Sequence, residues 1–278
     1  AEFYEGAYDS IDQEVLDPAS GLVRFHPSVV LLVMNWRDLG LEAVTGDESQ
    51  WIEAYVARRK ALWMEIAGRF GCHVVQPAFD YPAEDPYGHL SGVLLGGRGR
   101  VIESLNRRLR EAAEGGVSIL DVPAAQRETG SRVWENEQAW QRYRQHPALE
   151  ALPVVAEGYM AHVRAVLGLA RKVLVTDLDN TLWGGVIGED GLDGIAVGPG
   201  SPEGEAYLRL QRYLLDLKRR GVVLAVCTKN NPDDARLPFT AHPHMALRLE
   251  DFGAFHANWE DKASNLRAIA AELGLGLD

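Results

Sequence analysis

Two carboxylates stand where an apolar run ends. Residues 173–176 (VLVT) stop at Asp177 and Asp179, one residue apart, and Thr181, Trp183 and a glycine pair follow. A second apolar run, residues 222–227 (VVLAVC), stops at Thr228, Lys229 and Asn230. Lys262 opens a later helical pattern. Carboxylates, a hydroxyl and an ammonium together suit phosphoryl chemistry. Hard oxygen ligands bind magnesium, and the metal neutralises phosphate charge. Threonine and lysine donate to phosphate oxygens. One carboxylate can attack phosphorus as a nucleophile, and the other can give and take a proton. The bland alternative is a turn, because aspartate favours turns.

These residues must be brought to one place by the elements that carry them. In an open parallel sheet, ligands bind outside the carboxyl ends of the strands. Residues 173–176 and 222–227 read as buried strands, so their following residues would share one edge. The helix over 261–273 begins with Lys262 near enough to reach that edge. Between the strands, residues 184–200 are glycine-rich and read as a loop or small hairpin, followed by an amphipathic helix over 202–220. Ser201 and Pro202 suit its N-cap and first turn.

The first half alternates in the same way. Residues 28–34, 72–76 and 117–122 read as strands, and residues 49–70 and 101–113 as helices. Residues 80–98 read as a loop, residues 135–150 are polar and aromatic, and residues 151–169 form a connecting helix. Alternating strands and helices imply α/β architecture with parallel sheets. The 278 residues are enough for two domains on the prior of roughly 100–200 residues each, with the boundary placed between 168 and 169.

Composition narrows the partners. The net charge of −12, with no basic block, argues against broad nucleic-acid binding. Two distant cysteines, Cys72 and Cys227, make neither a disulfide framework nor a zinc spacing, so a reducing, cytoplasmic setting is expected. No run approaches the ~18 apolar residues of a membrane span, so no membrane partner is expected.

The motif DLDNTLW resembles the D-x-D-x-T signature of the haloacid dehalogenase-like (HAD) phosphotransferases. Read with AVCTKNN and NWEDKASN, the stretch DLDNTLWGGVIGEDG resembles more narrowly the FkbH-like proteins of polyketide assembly lines. The resemblance implies a HAD-type Rossmann-like domain over 169–278, preceded by an α/β domain over 1–168 resembling SGNH hydrolases without their catalytic serine. It implies Asp177 as nucleophile and magnesium ligand. Asp179 would be the general acid/base and give its main-chain carbonyl to the metal. Thr228 would hold the phosphoryl group and Lys262 would balance charge; Thr181, Lys229 and Asn230 are candidates for the substrate side by position. The implied reaction takes a glyceryl unit from 1,3-bisphosphoglycerate to the phosphopantetheine arm of an acyl carrier protein, with loss of phosphate.

An acyl transfer needs a thiol, and Cys227 adjoins Thr228. A Cys227 thiolate, with its pKa lowered by Lys262 and magnesium, could hold the acyl group. It could equally be a buried, inert cysteine. Lys229 and Asn230 line the site or cap the next helix. The family expects another acidic motif on the following strand. The sequence stops at Asp278, near where that strand would begin, so weak magnesium binding is expected of this chain. Two rival functions stand beside glyceryl transfer: a magnesium-dependent phosphatase of a small metabolite, and a non-catalytic docking module. The spacing leaves no room for a large cap domain, which suits a bulky, carrier-borne substrate.

Overall fold

The computed structural model describes residues 2–41 and 47–277. The chain divides into two compact units, Ala1–Ala170 and Arg171–Asp278. Unit 1 runs α1 (Ile11–Leu16), α2 (Gly21–Phe25), β1 (Val29–Leu31), α3 (Glu48–Phe70), β2 (His73–Pro77), α4 (Arg98–Ala112) and β3 (Val117–Leu120). Four helices follow: α5 (Val122–Thr129), α6 (Ser131–Trp134), α7 (Glu137–Tyr143) and α8 (Leu152–Val166). Its sheet is parallel with strand order β1-β2-β3.

The departures from the sequence reading have local causes. The strand expected over 28–34 is cut to three residues, because Asn35 starts a tight capped turn whose Trp36 N–H donates to Asp80. The strand expected to reach 122 ends at Leu120, because Asp121 caps α5 and Pro123 occupies its first turn. Within residues 135–150, Asn136 caps α7 by accepting from the Ala139 N–H. The carboxyl ends of β1 and β2 carry a closed polar network. Asp80, 1% exposed, accepts from the Trp36 N–H, from Trp134 Nε1 at 2.7 Å and contacts His146 Nε2 at 2.5 Å.

Unit 2 runs β4 (Val173–Thr176), α9 (Ile187–Gly194), α10 (Pro202–Arg219), β5 (Val223–Thr228), α11 (Pro232–Ala241), β6 (Phe252–Ala257) and α12 (Lys262–Glu272). Its strands are parallel in the order β4-β5-β6. Leu224 and Val226 face one core with Leu178, Leu214 and Phe239, while Ala225 and Cys227 face a smaller one with Ala254 and Ile269. This alternation is the period-2 pattern of a strand buried on both faces. α9, inside the stretch read as a loop or small hairpin, α11 and β6 are additions to the sequence reading. Pro238 inside α11 masks its helical pattern, and Gly253 and His256 interrupt β6. Gly253 is required by packing, since a Cβ there would come within 2.7 Å of Val223 Cγ1. No helix among the described residues is long and apolar enough to cross a membrane.

Phe239 anchors this unit. Its ring, 1% exposed, meets Trp183, Phe252 and Phe255 edge to face, with centroids 5.3–5.9 Å away. Phe239→Ala is expected to destabilise unit 2 by about 3–5 kcal/mol, through lost burial and the cavity left behind. Urea unfolding followed by tryptophan fluorescence would show a correspondingly lower midpoint.

Candidate active site

The carboxyl ends of β4 and β5 bring the two motifs together. Asp177 is the first residue past β4, and its backbone sits where Thr176 Oγ1 donates to the Asp177 carbonyl at 2.8 Å. Asp177 Oδ1 accepts from the Leu178 N–H at 2.8 Å. Its Oδ2 lies 2.5 Å from Lys262 Nζ. Partial burial pushes the Asp177 carboxyl up. The bond from Lys262, the Thr228 hydroxyl and the Leu178 N–H outweigh it, leaving the carboxyl below its ordinary value. Lys262 is held above its ordinary value chiefly by the same bond. The pair is half open to water, with side chains 35% and 48% exposed, so it adds little to stability. Its effect is to keep one carboxylate charged and oriented.

Asp179 is held differently. Its Oδ1 accepts from Trp183 Nε1 and from the Ile187 N–H, both at 3.0 Å, and its Oδ2 accepts from Asn230 Nδ2 at 2.6 Å. The loop that allows this is a tight reversal. Asn180 (φ 51°) and Gly185 (φ 92°) adopt the left-handed region, and each bonds the other, Asn180 N to Gly185 O and Gly185 N to Asn180 Oδ1. The flap over 184–200 is closed by an antiparallel bridge between Gly184 and Ala196, with α9 between them broken at Gly191.

Lys262 is delivered by the connection from β6 to α12. Asp261 caps α12 by accepting from the Ser264 N–H. Asn258 and Asn265 exchange side-chain bonds of 3.1 and 2.8 Å across that turn. Asn258 also ties back to β5, its N–H donating to the Thr228 carbonyl.

The other expected site residues divide. Thr228 ends β5, 2% exposed and beside Asp177. Asn230 is in the cluster through Asp179. Thr181 turns its hydroxyl to the Asp179 carbonyl at 3.3 Å, and Lys229 stays exposed. Cys227 departs from the expectation of an activated thiolate. It is 5% exposed in the core against α12, and its Sγ faces the Lys262 carbonyl at 4.0 Å. Burial pushes the thiol up, Asp177 and Asp261 add to this, and Lys262 only partly opposes it. With Lys262 as the nearby cation the thiol is raised; the expected lowering counted on magnesium as well. Trp183 both packs against Phe239 and holds Asp179. The Asn258–Asn265 lock was not read; its signal is an asparagine on each side of a helix start.

The donors suit a hard divalent cation. No group of three or more His, Cys, Asp or Glu side chains among the described residues could hold an ion. Three protein donors orient the Asp179 carboxylate and leave an Oδ2 lone pair for proton transfer rather than for a metal. That leaves the Asp177 carboxylate and the Asp179 main-chain carbonyl, two hard oxygens. This set fits magnesium, which keeps several waters and takes one or two carboxylates plus substrate phosphate.

No protein-family model and no curated protein matches this chain. A solved structure is similar along nearly all of it: the N-terminal part of the protein BF1531 from Bacteroides fragilis, containing a phosphatase domain complexed with Mg. The two share 28% identity with a TM-score of 0.87, over 99% of this chain and 73% of that one.

Proposed function

We propose that unit 2 is a magnesium-dependent phosphohydrolase that works through a phosphorylated Asp177. The observation that carries this is the Asp177–Lys262 contact of 2.5 Å at the end of β4, beside the Thr228 hydroxyl. The Mg-bound phosphatase domain in the similar structure supports the metal and the reaction class. Magnesium, held by the Asp177 carboxylate and the Asp179 carbonyl, supplies charge neutralisation to the phosphate when bound.

The chain's own residues supply the rest. Lys262 and Thr228 donate to the phosphoryl oxygens and hold phosphorus before Asp177. A carboxylate oxygen of Asp177 bonds to phosphorus, and the bond to the leaving oxygen breaks with its electron pair. Asp179 gives that oxygen a proton, then takes one from the water that attacks phosphorus. Phosphate leaves and the Asp177 carboxylate is restored. Phosphate release from a panel of phosphate esters is expected with magnesium, to vanish in EDTA, and to return when magnesium is added in excess. Release that persists in EDTA would contradict the reading.

Asn230 and Trp183 act by positioning Asp179. Asn230→Ala removes the 2.6 Å bond to its Oδ2 and leaves the carboxylate held through Oδ1 alone. The expected result is a fall in kcat of about 10²-fold, the scale of an ångström-sized misplacement. Steady-state kinetics with the fold checked by circular dichroism would measure it.

A finer reading is glyceryl transfer from 1,3-bisphosphoglycerate to an acyl carrier protein. It rests on the resemblance of the three motifs to FkbH-like proteins. The short flap favours it, because α9 and the Gly184–Ala196 bridge leave the site without a cap domain between β4 and β5. In this reading Cys227 is a packing residue, and the arm's own thiol takes the acyl group. Intact-mass measurement of a carrier protein incubated with 1,3-bisphosphoglycerate, magnesium and this protein tests it. A glyceryl adduct supports transfer. An unmodified carrier with continuing phosphate release leaves hydrolysis alone, and carrier binding with no turnover would point to a docking module.

A further inference from the structure

We propose that Trp259 is a specificity-determining residue of this site, selecting substrates whose leaving group presents an apolar or aromatic face next to phosphorus. The proposal rests on the phosphohydrolase reading and names its substrate class. Trp259 is 70% exposed and belongs to neither apolar core of unit 2. A packing role therefore does not account for it.

Its place in the fold is specific. The indole stands on the connection between β6 and α12, three residues before Lys262. Its Nε1 donates to Asn231 Oδ1 at 3.1 Å. Asn231 directly follows Asn230, the residue that holds Asp179. The ring is thus tied between the two segments that supply the site, one carrying the partner of Asp177 and the other the partner of Asp179. Each anchor has a further tie. The Asn258–Asn265 exchange holds one side, and Asn231 Nδ2 donates to Asp234 Oδ2 at 3.1 Å on the other.

The tether decides what the ring can offer. The indole N–H is its single polar group, and Asn231 takes it. What remains is an apolar, polarisable face, open to water on the turn that leads into Lys262. A leaving group that covers this face gains the burial, while a small or strongly hydrated one does not. Pre-orientation by Asn231 reduces the ordering cost on binding.

Phosphonates test this without turnover. Dissociation constants of phenylphosphonate and methylphosphonate would be measured by calorimetry with magnesium, for wild type, Trp259→Ala and Trp259→Phe. Wild type is expected to prefer phenylphosphonate by about 10-fold, the scale of covering one aromatic face. Trp259→Ala is expected to erase the preference and leave methylphosphonate affinity within about 2-fold. Trp259→Phe, which keeps a ring, should retain much of it. Wild type binding both ligands equally would overturn the inference alone. So would Trp259→Ala that keeps the wild-type preference, or that loses both ligands equally, which would mark a role in placing Lys262. Wild type binding neither ligand would overturn the phosphoryl-site reading, and the inference with it.

Discussion

Asp177→Asn is expected to lower kcat/KM for phosphate release by about 10⁴-fold or more, because it removes the nucleophile itself. The substitution keeps the shape of the side chain. The amide oxygen can still accept from the Leu178 N–H that now bonds Oδ1 at 2.8 Å. What it loses is the charge and the electron pair that meets phosphorus, and an amide nitrogen set against Lys262 Nζ cannot replace them. The wild-type pair is half exposed, so the fold should survive its loss. Near-UV circular dichroism would confirm this before rates are compared. A variant within about 10-fold of wild type would mean that Asp177 does not attack phosphorus.

Lys262→Met is expected to cost about 10²–10³-fold in kcat, the loss of one pre-aimed donor to a phosphoryl oxygen. It should also move the pH dependence. Partial burial pushes the Asp177 carboxyl up, and the Lys262 bond is the foremost influence bringing it down. Removing that bond leaves burial opposed only by Thr228 and the Leu178 N–H. The carboxyl then rises, and the ionised nucleophile is lost at a higher pH as the solution is acidified. The acid limb of kcat/KM should therefore shift toward higher pH, measured from pH 4 to 8. A fall in rate with an unmoved acid limb would mean that Lys262 serves the substrate without touching Asp177.

Much of this site was legible because local chemistry and sheet periodicity agreed. The run over 173–176 reads as a buried strand; β4 spans those residues, but as the edge of the sheet it buries only Thr176 and leaves Val175 exposed. Thr228, Asn230 and Lys262 could be assigned to the same edge, since strand ends in a parallel sheet share one side. The side chain of Cys227 was not legible. A strand buried on both faces is apolar throughout, so its pattern does not say which face a cysteine takes. Only packing against Ile269 and Ala254 decides that it faces α12. β6 was hidden by the mixed composition of FGAFHA, and it forms because β5 offers an open edge to pair with. The hold on Asp179 was hidden for another reason. Its three donors come from Trp183, Ile187 and Asn230, the first two placed by a reversal whose course depends on left-handed residues.

The measurement that tests the central claim most directly is chemical trapping of the phosphoryl-enzyme. Protein turning over a phosphate ester with magnesium would be quenched and treated with borohydride, which reduces an aspartyl phosphate to homoserine. Peptide mass spectrometry would then locate the altered residue. The account predicts homoserine at position 177, absent without substrate and absent in Asp177→Asn. Sustained phosphate release with Asp177 unaltered, or with the adduct on another side chain, would contradict it.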